Sequence, residues 1–177
     1  MLIKRLIAVL IFAVMLGACD NSEAPEEIAE PTTIAGIVVP SPLGAVNDFE
    51  NIISAENKET LKDSLYYFTT KTGHELVVVT MDTIPQDKNP IWFATEIGNH
   101  WGVGDAKKNN GLLMLISEEM AQIGIATGVG IETIYTDSVC NVVIQSMIPY
   151  LSVGDYDGGV YKAIRHFEEV NATHSGK

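Results

Sequence analysis

Two short apolar runs do most to fix what this chain can fold into. Leu76-Val77-Val78-Val79 and Leu112-Leu113-Met114-Leu115-Ile116 present no polar residue on either face of an extended strand. A strand of that kind has to be covered on both sides, which is the position of a central strand in a sheet layered with helices. Four or five residues are also too few for a buried helix, and the β-branched content of the first run agrees with a strand.

The segments around these runs read as helices. Ser54 can cap a helix whose Leu61, Leu65 and Phe68 fall at i, i+4 and i+7 and whose end is marked by Gly73. Asn89-Pro90 reads as a cap plus first-turn proline, opening a helix with Phe93, Ile97 and Trp101 on one face. After the second run, Ser117-Glu118-Glu119-Met120 turns the chain into a third strand over Ala121 to Ala126. A helix from about Asp137 to Met147 follows, and a last one carries Val160, Ile164 and Phe167 on one stripe. The order helix, strand, helix, strand, strand, helix, helix predicts an α/β fold with a mixed central sheet flanked by helices, an α/β/α sandwich. One domain is expected over residues 43–172, with order starting near Gly44 and a short tail over residues 173–177.

The N-terminus is of a different kind. Lys4-Arg5, an apolar run from Leu6 to Leu16 and the small pair Gly17-Ala18 have the parts of a secretory signal over residues 1–18. Eleven apolar residues fall short of the roughly 20 a spanning helix needs. Leu16-Gly17-Ala18-Cys19 resembles a bacterial lipobox, which implies a lipid on Cys19 as the new N-terminus. The alternative is an ordinary signal peptide that contains a cysteine. Residues 19–42 then form an acidic tether, and its first part, with five acidic residues and two prolines from Asp20 to Pro31, is expected to be disordered. Asp20 resembles an inner-membrane retention signal, which implies a domain in the periplasm facing that membrane. In other Gram-negative groups an acidic stretch there directs the protein to the outer membrane or cell surface.

Charge narrows the function classes. Without residues 1–18 the chain keeps nine of its 11 basic residues against 23 acidic ones, a formal charge of −14. Nucleic acid is excluded as a partner, because binding it requires a basic surface that displaces counterions. Arg165 is the one arginine left, so bidentate clamps on phosphate or carboxylate are scarce. With Cys19 acylated, Cys140 has no partner and reads as a buried free thiol in an apolar stretch.

Candidate ligands follow from the strand order. The second and third strands form a hairpin, so Asn109-Asn110-Gly111 before one and Thr127-Gly128-Val129-Gly130-Ile131-Glu132 after the other share one end of the sheet. Asp105 and Asp137 flank these loops. Asp105, Asn109, Asn110, Glu132 and Asp137 would be hard oxygen donors of the kind Ca²⁺ or Mg²⁺ takes. The plainer alternative is that the glycine loops are turns and the acids are solvated caps.

Gly44-Ala45-Val46-Asn47-Asp48-Phe49, Thr72-Gly73-His74-Glu75, Trp101-Gly102-Val103-Gly104 with Asn109-Asn110-Gly111-Leu112-Leu113, and Thr127-Gly128-Val129-Gly130-Ile131-Glu132 together resemble the TPM domain family. That family includes a thylakoid-lumen phosphatase, a photosystem II repair factor and many membrane-tethered bacterial proteins. The resemblance covers about residues 38 to 170. It implies an α/β/α sandwich, divalent-cation binding in some members and acid phosphatase activity in the plant branch. It adds Asp48 to the ligand candidates beside Asp105 and Asn110. Two departures stand out: Gly124 where members often carry arginine, and Val129 where they often carry an aromatic residue. The expectation is a monomeric, cation-binding module that binds a membrane protein or peptide in the cell envelope. The alternative is a metal-dependent phosphatase of low activity. No organic cofactor is implied.

Overall fold

A computed structural model describes residues 29–175, in which both apolar runs are strands at the centre of one sheet. β4 (Glu75–Thr80) and β5 (Gly111–Ser117) are parallel neighbours, with Leu76 opposite Leu112 and Thr80 opposite Ile116. β6 (Gln122–Thr127) returns antiparallel beside β5, and β3 (Val46–Asp48) lies parallel along the other side of β4. Strand order is β3-β4-β5-β6. No residue of either run is more than 4% exposed, so both central strands are covered on both faces.

Alternate residues of the strands feed two separate cores. Leu76, Val78, Leu112, Met114 and Ile116 pack against α1 (Ala55–Thr72), α3 (Asp137–Leu151) and α4 (Tyr156–Ser175). Val77, Val79, Leu113 and Leu115 face the other way, onto Phe93, Ala94 and Ile97 of α2 (Pro90–Trp101). The result is the expected α/β/α sandwich with a mixed sheet. The expected caps form: Ser54 and Asn89 accept from backbone N–H groups, and Gly73 closes α1 in the left-handed region. Thr136 caps α3 and Gly102 closes α2 in the same ways. Cys140 is buried and free, and burial pushes its thiol up to about 11.

The crossovers carry a topological oddity. The steps from β3 to β4 and from β4 to β5 go the same way across the sheet, yet α1 and α2 cover opposite faces. Two such crossovers have opposite hands, so one of them departs from the right-handed rule for parallel connections.

Three strands were not anticipated. Order does not wait for Gly44: β1 (Thr32–Ile34) and β2 (Ile37–Val39) form an antiparallel hairpin turned at Ala35-Gly36, both at positive φ. Val39 is fully buried, Ile34 and Ile37 pack onto the α2 side, and Trp101 Nε1 donates to the Pro40 carbonyl at 3.2 Å. Residues 32–40 therefore belong to the domain rather than to a tether. β3 was likewise missed, because three residues are too few to show a period. At the other end α4 runs to Ser175, into residues assigned from sequence to a tail. Cys19 and the signal segment expected over residues 1–18 lie outside the described residues. Among the described residues no helix is long and apolar enough to cross a membrane.

Candidate functional site

The hairpin of β5 and β6 does bring the two glycine-containing loops together. Gly128 N–H donates to the Gly111 carbonyl at 2.8 Å and Gly130 N–H to the Asn109 carbonyl at 3.0 Å. The glycines are used up by this knitting. A Cβ on Gly111 would overlap the Val103 carbonyl, and one on Gly130 the Lys108 carbonyl. Asn110 is buried, with its Oδ1 accepting from Asp105 N–H at 2.7 Å and its Nδ2 donating to the Gly73 carbonyl. Asp105 is exposed. Its Oδ1 accepts from the N–H groups of Lys107 and Lys108 at 2.8 and 3.0 Å, and these bonds hold its carboxyl below the ordinary value. Glu75 Oε2 accepts from Gly104 N–H at 2.6 Å.

The six expected ligands thus do not come together. Asp105 and Asn110 share a hollow of about 510 Å³ with Glu75, Lys62, Lys108 and Tyr66. Glu132 and Asp137 line a separate hollow with Tyr135 and Thr136. Asn109 is exposed at positive φ, its carbonyl already engaged by Gly130. Asp48 is elsewhere altogether. β3 runs parallel to β4 and sets Asp48 beside Thr80, the length of β4 away from Glu75. At about 3.3 Å per residue that is roughly 16 Å, too far to share a cation with Asp105.

Asp48 is also fully occupied. Its side chain is 2% exposed, pairs with Lys58 Nζ at 2.8 Å, and accepts from Thr80 Oγ1 at 2.7 Å and from the N–H groups of Ile52 and Ile53 at 3.1 and 3.3 Å. Burial pushes its pKa up, but the bonds from Lys58, Thr80 and Ile52 outweigh it and the net shift is downward. Asp48 is thus not a free ligand but the buried brace between β3, β4 and α1. Among the described residues no three His, Cys, Asp or Glu side chains come together as a metal-ligating group. Asp105 and Glu75 each commit an oxygen to backbone N–H, Asn110 commits both ends of its amide, and Lys108 shares their hollow. This donor set does not fit a resident divalent cation.

The end of the sheet where Asp48 lies holds more. Glu50 accepts from Glu118 N–H at 3.1 Å and Glu119 N–H at 3.3 Å, bridging β3 to the turn after β5. Burial raises its pKa, and the charges of Glu118 and Asp82 add to that. Tyr156, at the start of α4, is shifted up by burial and by its hydrogen bond to the Glu118 carboxylate. Asp157 accepts from Ser54 Oγ at 2.6 Å and Asn57 Nδ2 at 2.7 Å, tying α4 to α1. Beside this network opens a hollow of about 290 Å³, walled by Ile116, Ile123, Ile148 and Leu151, with Glu118 and Tyr156 among its polar residues. Ile148 is 42% exposed there, although it is a large apolar residue. The hollow lies at the carboxyl end of β5, and open α/β sheets take their ligands outside the carboxyl ends of their strands. Sequence reasoning missed it because Glu50, Glu118 and Tyr156 are far apart in the chain and form no motif. The one clue in the sequence is Glu118-Glu119 directly after a buried strand, a pair that by itself signals no more than a turn.

Comparison with known proteins agrees with this architecture. The family model of the TPM domain matches residues 46–170. The solution structure of the N-terminal domain of a protein from P. gingivalis is similar, with 26% identity, a TM-score of 0.62, and coverage of 71% of this chain and 80% of that one. The N-terminal domain of the cg2496 protein from Corynebacterium glutamicum is 19% identical with a TM-score of 0.55, over 81% of this chain and 88% of that one. The BA42 protein from Bizionia argentinensis is 18% identical with a TM-score of 0.61, over 71% and 85%. At these lower identities the likeness is one of fold. No curated protein matches the chain.

Proposed function

The chain belongs to the TPM domain family, and from that premise we propose that it is a binding module tethered in the cell envelope. In this proposal a lipid on Cys19 holds it at the membrane. The hollow at the carboxyl end of β5 takes an apolar segment, carrying a basic residue, from a membrane-associated protein. The observation that carries it is that hollow: aliphatic walls, an exposed Ile148, and the carboxylates of Glu118 and Glu50 nearby. An apolar pocket with a few convergent polar groups is the usual form of a recognition site. The formal charge of −12 for the whole chain favours a basic partner over an acidic one.

The module binds its partner without a cation, since the loop-end donors do not fit one. Phosphatase chemistry would need groups that gather a phosphoryl oxygen, and Arg165 is exposed on α4 and lines neither the Asp105 hollow nor the Ile148 hollow. The test is a photo-crosslinking amino acid in place of Ile148, in the full chain expressed in its own envelope. A discrete adduct with a membrane protein is expected, weakened by Glu118→Lys. The proposal fails if no adduct forms, or if the same adduct forms as strongly from Tyr66 on the far side of the domain. Separately, Cys19→Ser should abolish fatty-acid labelling.

A further inference from the structure

The end of the domain opposite the Ile148 hollow carries large exposed side chains that the fold does not use. Leu43 is 69% exposed and Tyr66 76% exposed, each on the rim of one of two hollows that share Ala45 and Glu75. Lys62 and Lys108 line the hollow beside Tyr66, and Lys107 is exposed next to Lys108. In a chain this acidic, lysines are few. Two of the carboxylates at this end, Glu75 and Asp105, spend an oxygen on backbone N–H groups.

The chain also arrives here. Ala29 lines the same hollow as Leu43 and Trp101, and His100 Nε2 lies 2.8 Å from the Glu30 carbonyl oxygen. The hairpin of β1 and β2 takes residues 32–39 out of any tether, so only residues 20–28 separate Cys19 from the domain. Whatever their conformation, the ten steps from Cys19 to Ala29 span at most about 35 Å. A domain of this length has a radius of gyration of about 15 Å, hence a diameter of roughly 38 Å. A lipid on Cys19 therefore keeps the loop end within about one domain diameter of the bilayer.

We infer that the loop end of the domain rests on the lipid headgroup layer, with Leu43 and Tyr66 dipping into it and Lys107 and Lys108 facing anionic headgroups. This inference rests on the lipid anchor of the proposed function, but not on its partner. Tyrosine suits such a boundary because its ring is apolar and its hydroxyl stays wet. Lysines near an anionic surface add attraction that salt screens. Seated in this way, the domain turns the Ile148 hollow away from the bilayer, toward the exposed part of a neighbouring protein.

The test uses the full chain purified with its lipid, which mass spectrometry verifies, and reconstituted into vesicles of equimolar phosphatidylethanolamine and phosphatidylglycerol. An environment-sensitive fluorophore is placed on Leu43→Cys, on Tyr66→Cys or, at the opposite end, on Val153→Cys. Val153 is 78% exposed, and the buried Cys140 stays unlabelled. Brominated lipids should quench the probe at 43 and at 66 and shift its emission to the blue, with no change at 153. Equal quenching at all three positions, or quenching at 153 alone, overturns the orientation while leaving the anchor intact. A mass without lipid overturns the anchor itself, and the orientation with it.

Discussion

Asp48 has four polar partners and a side chain that is 2% exposed, so removing it strands Lys58, Thr80 and two N–H groups. Asp48→Ala should lower unfolding stability by about 2 kcal/mol in urea titrations, the range for leaving buried hydrogen-bond partners unsatisfied. An unchanged midpoint would show that the brace is idle. The pH dependence has a definite sign. The folded pKa lies below the unfolded one, so ionisation favours the folded state. That stabilisation is full above the ordinary aspartate value of about 3.9 and is lost as pH falls through the lowered folded value. The gap between wild type and Asp48→Asn should thus be flat near neutrality and close in acid. Tyr135 gives the opposite case, since its hydroxyl is buried without a hydrogen-bond partner among the described residues. Its ring packs edge-on to His74 and Phe167 at 5.5 and 5.3 Å between centroids. Tyr135→Phe keeps both contacts and removes an unsatisfied group, so it should be neutral or stabilising by up to about 1 kcal/mol. A loss of stability would reveal a partner for the hydroxyl.

At the scale of elements, β6 and α2 meet where Gly124 faces the backbone of Pro90 and Ile91, and a Cβ there would overlap the Pro90 carbonyl. The arginine that TPM relatives often carry at this position has no room under α2 as it sits here. Gly124→Arg should therefore destabilise the fold by more than about 2 kcal/mol, without conferring phosphatase activity. A stable variant would mean that the start of α2 moves freely. The β1–β2 hairpin makes a similar demand through Val39, which is fully buried under the α2-side core. Val39→Ala should cost about 1.5–2.5 kcal/mol, the value of two buried methyl groups with a residual cavity, where a tether residue would cost nothing. Thermal or urea unfolding decides between them.

For the molecule as a whole, the sheet separates two ends with different chemistry. At the loop end, one oxygen each of Glu75 and Asp105 and both ends of the Asn110 amide are engaged within the protein. Adding millimolar Ca²⁺ or Mg²⁺ should move the melting temperature by no more than about 1 °C, because a ligand stabilises only as far as it binds the folded form. A rise of several degrees that Asp105→Ala abolishes would restore a resident cation there. At the other end, Asp48, Glu50 and Asp157 hold the turns around the Ile148 hollow.

Helix faces, caps and the two central strands were legible in the sequence because their causes are local. A stripe such as Leu61, Leu65 and Phe68, or a run apolar on both faces, states its own burial, and Ser54 or Asn89 needs only its neighbours to act as a cap. The pairing of β5 with β6 was legible too, since a short turn leaves few alternatives, and with it the meeting of the two glycine loops. Strands of three residues were not, as no period fits inside them and their stability comes from whatever pairs with them. Tertiary structure alone decided on which end of the sheet Asp48 falls, because the direction of β3 relative to β4 is a property of the pair and not of either segment. The carboxyl-end hollow depends on the same kind of fact: Ile116, Glu118, Ile148 and Tyr156 come from β5, the turn after it, α3 and α4, which only packing brings side by side.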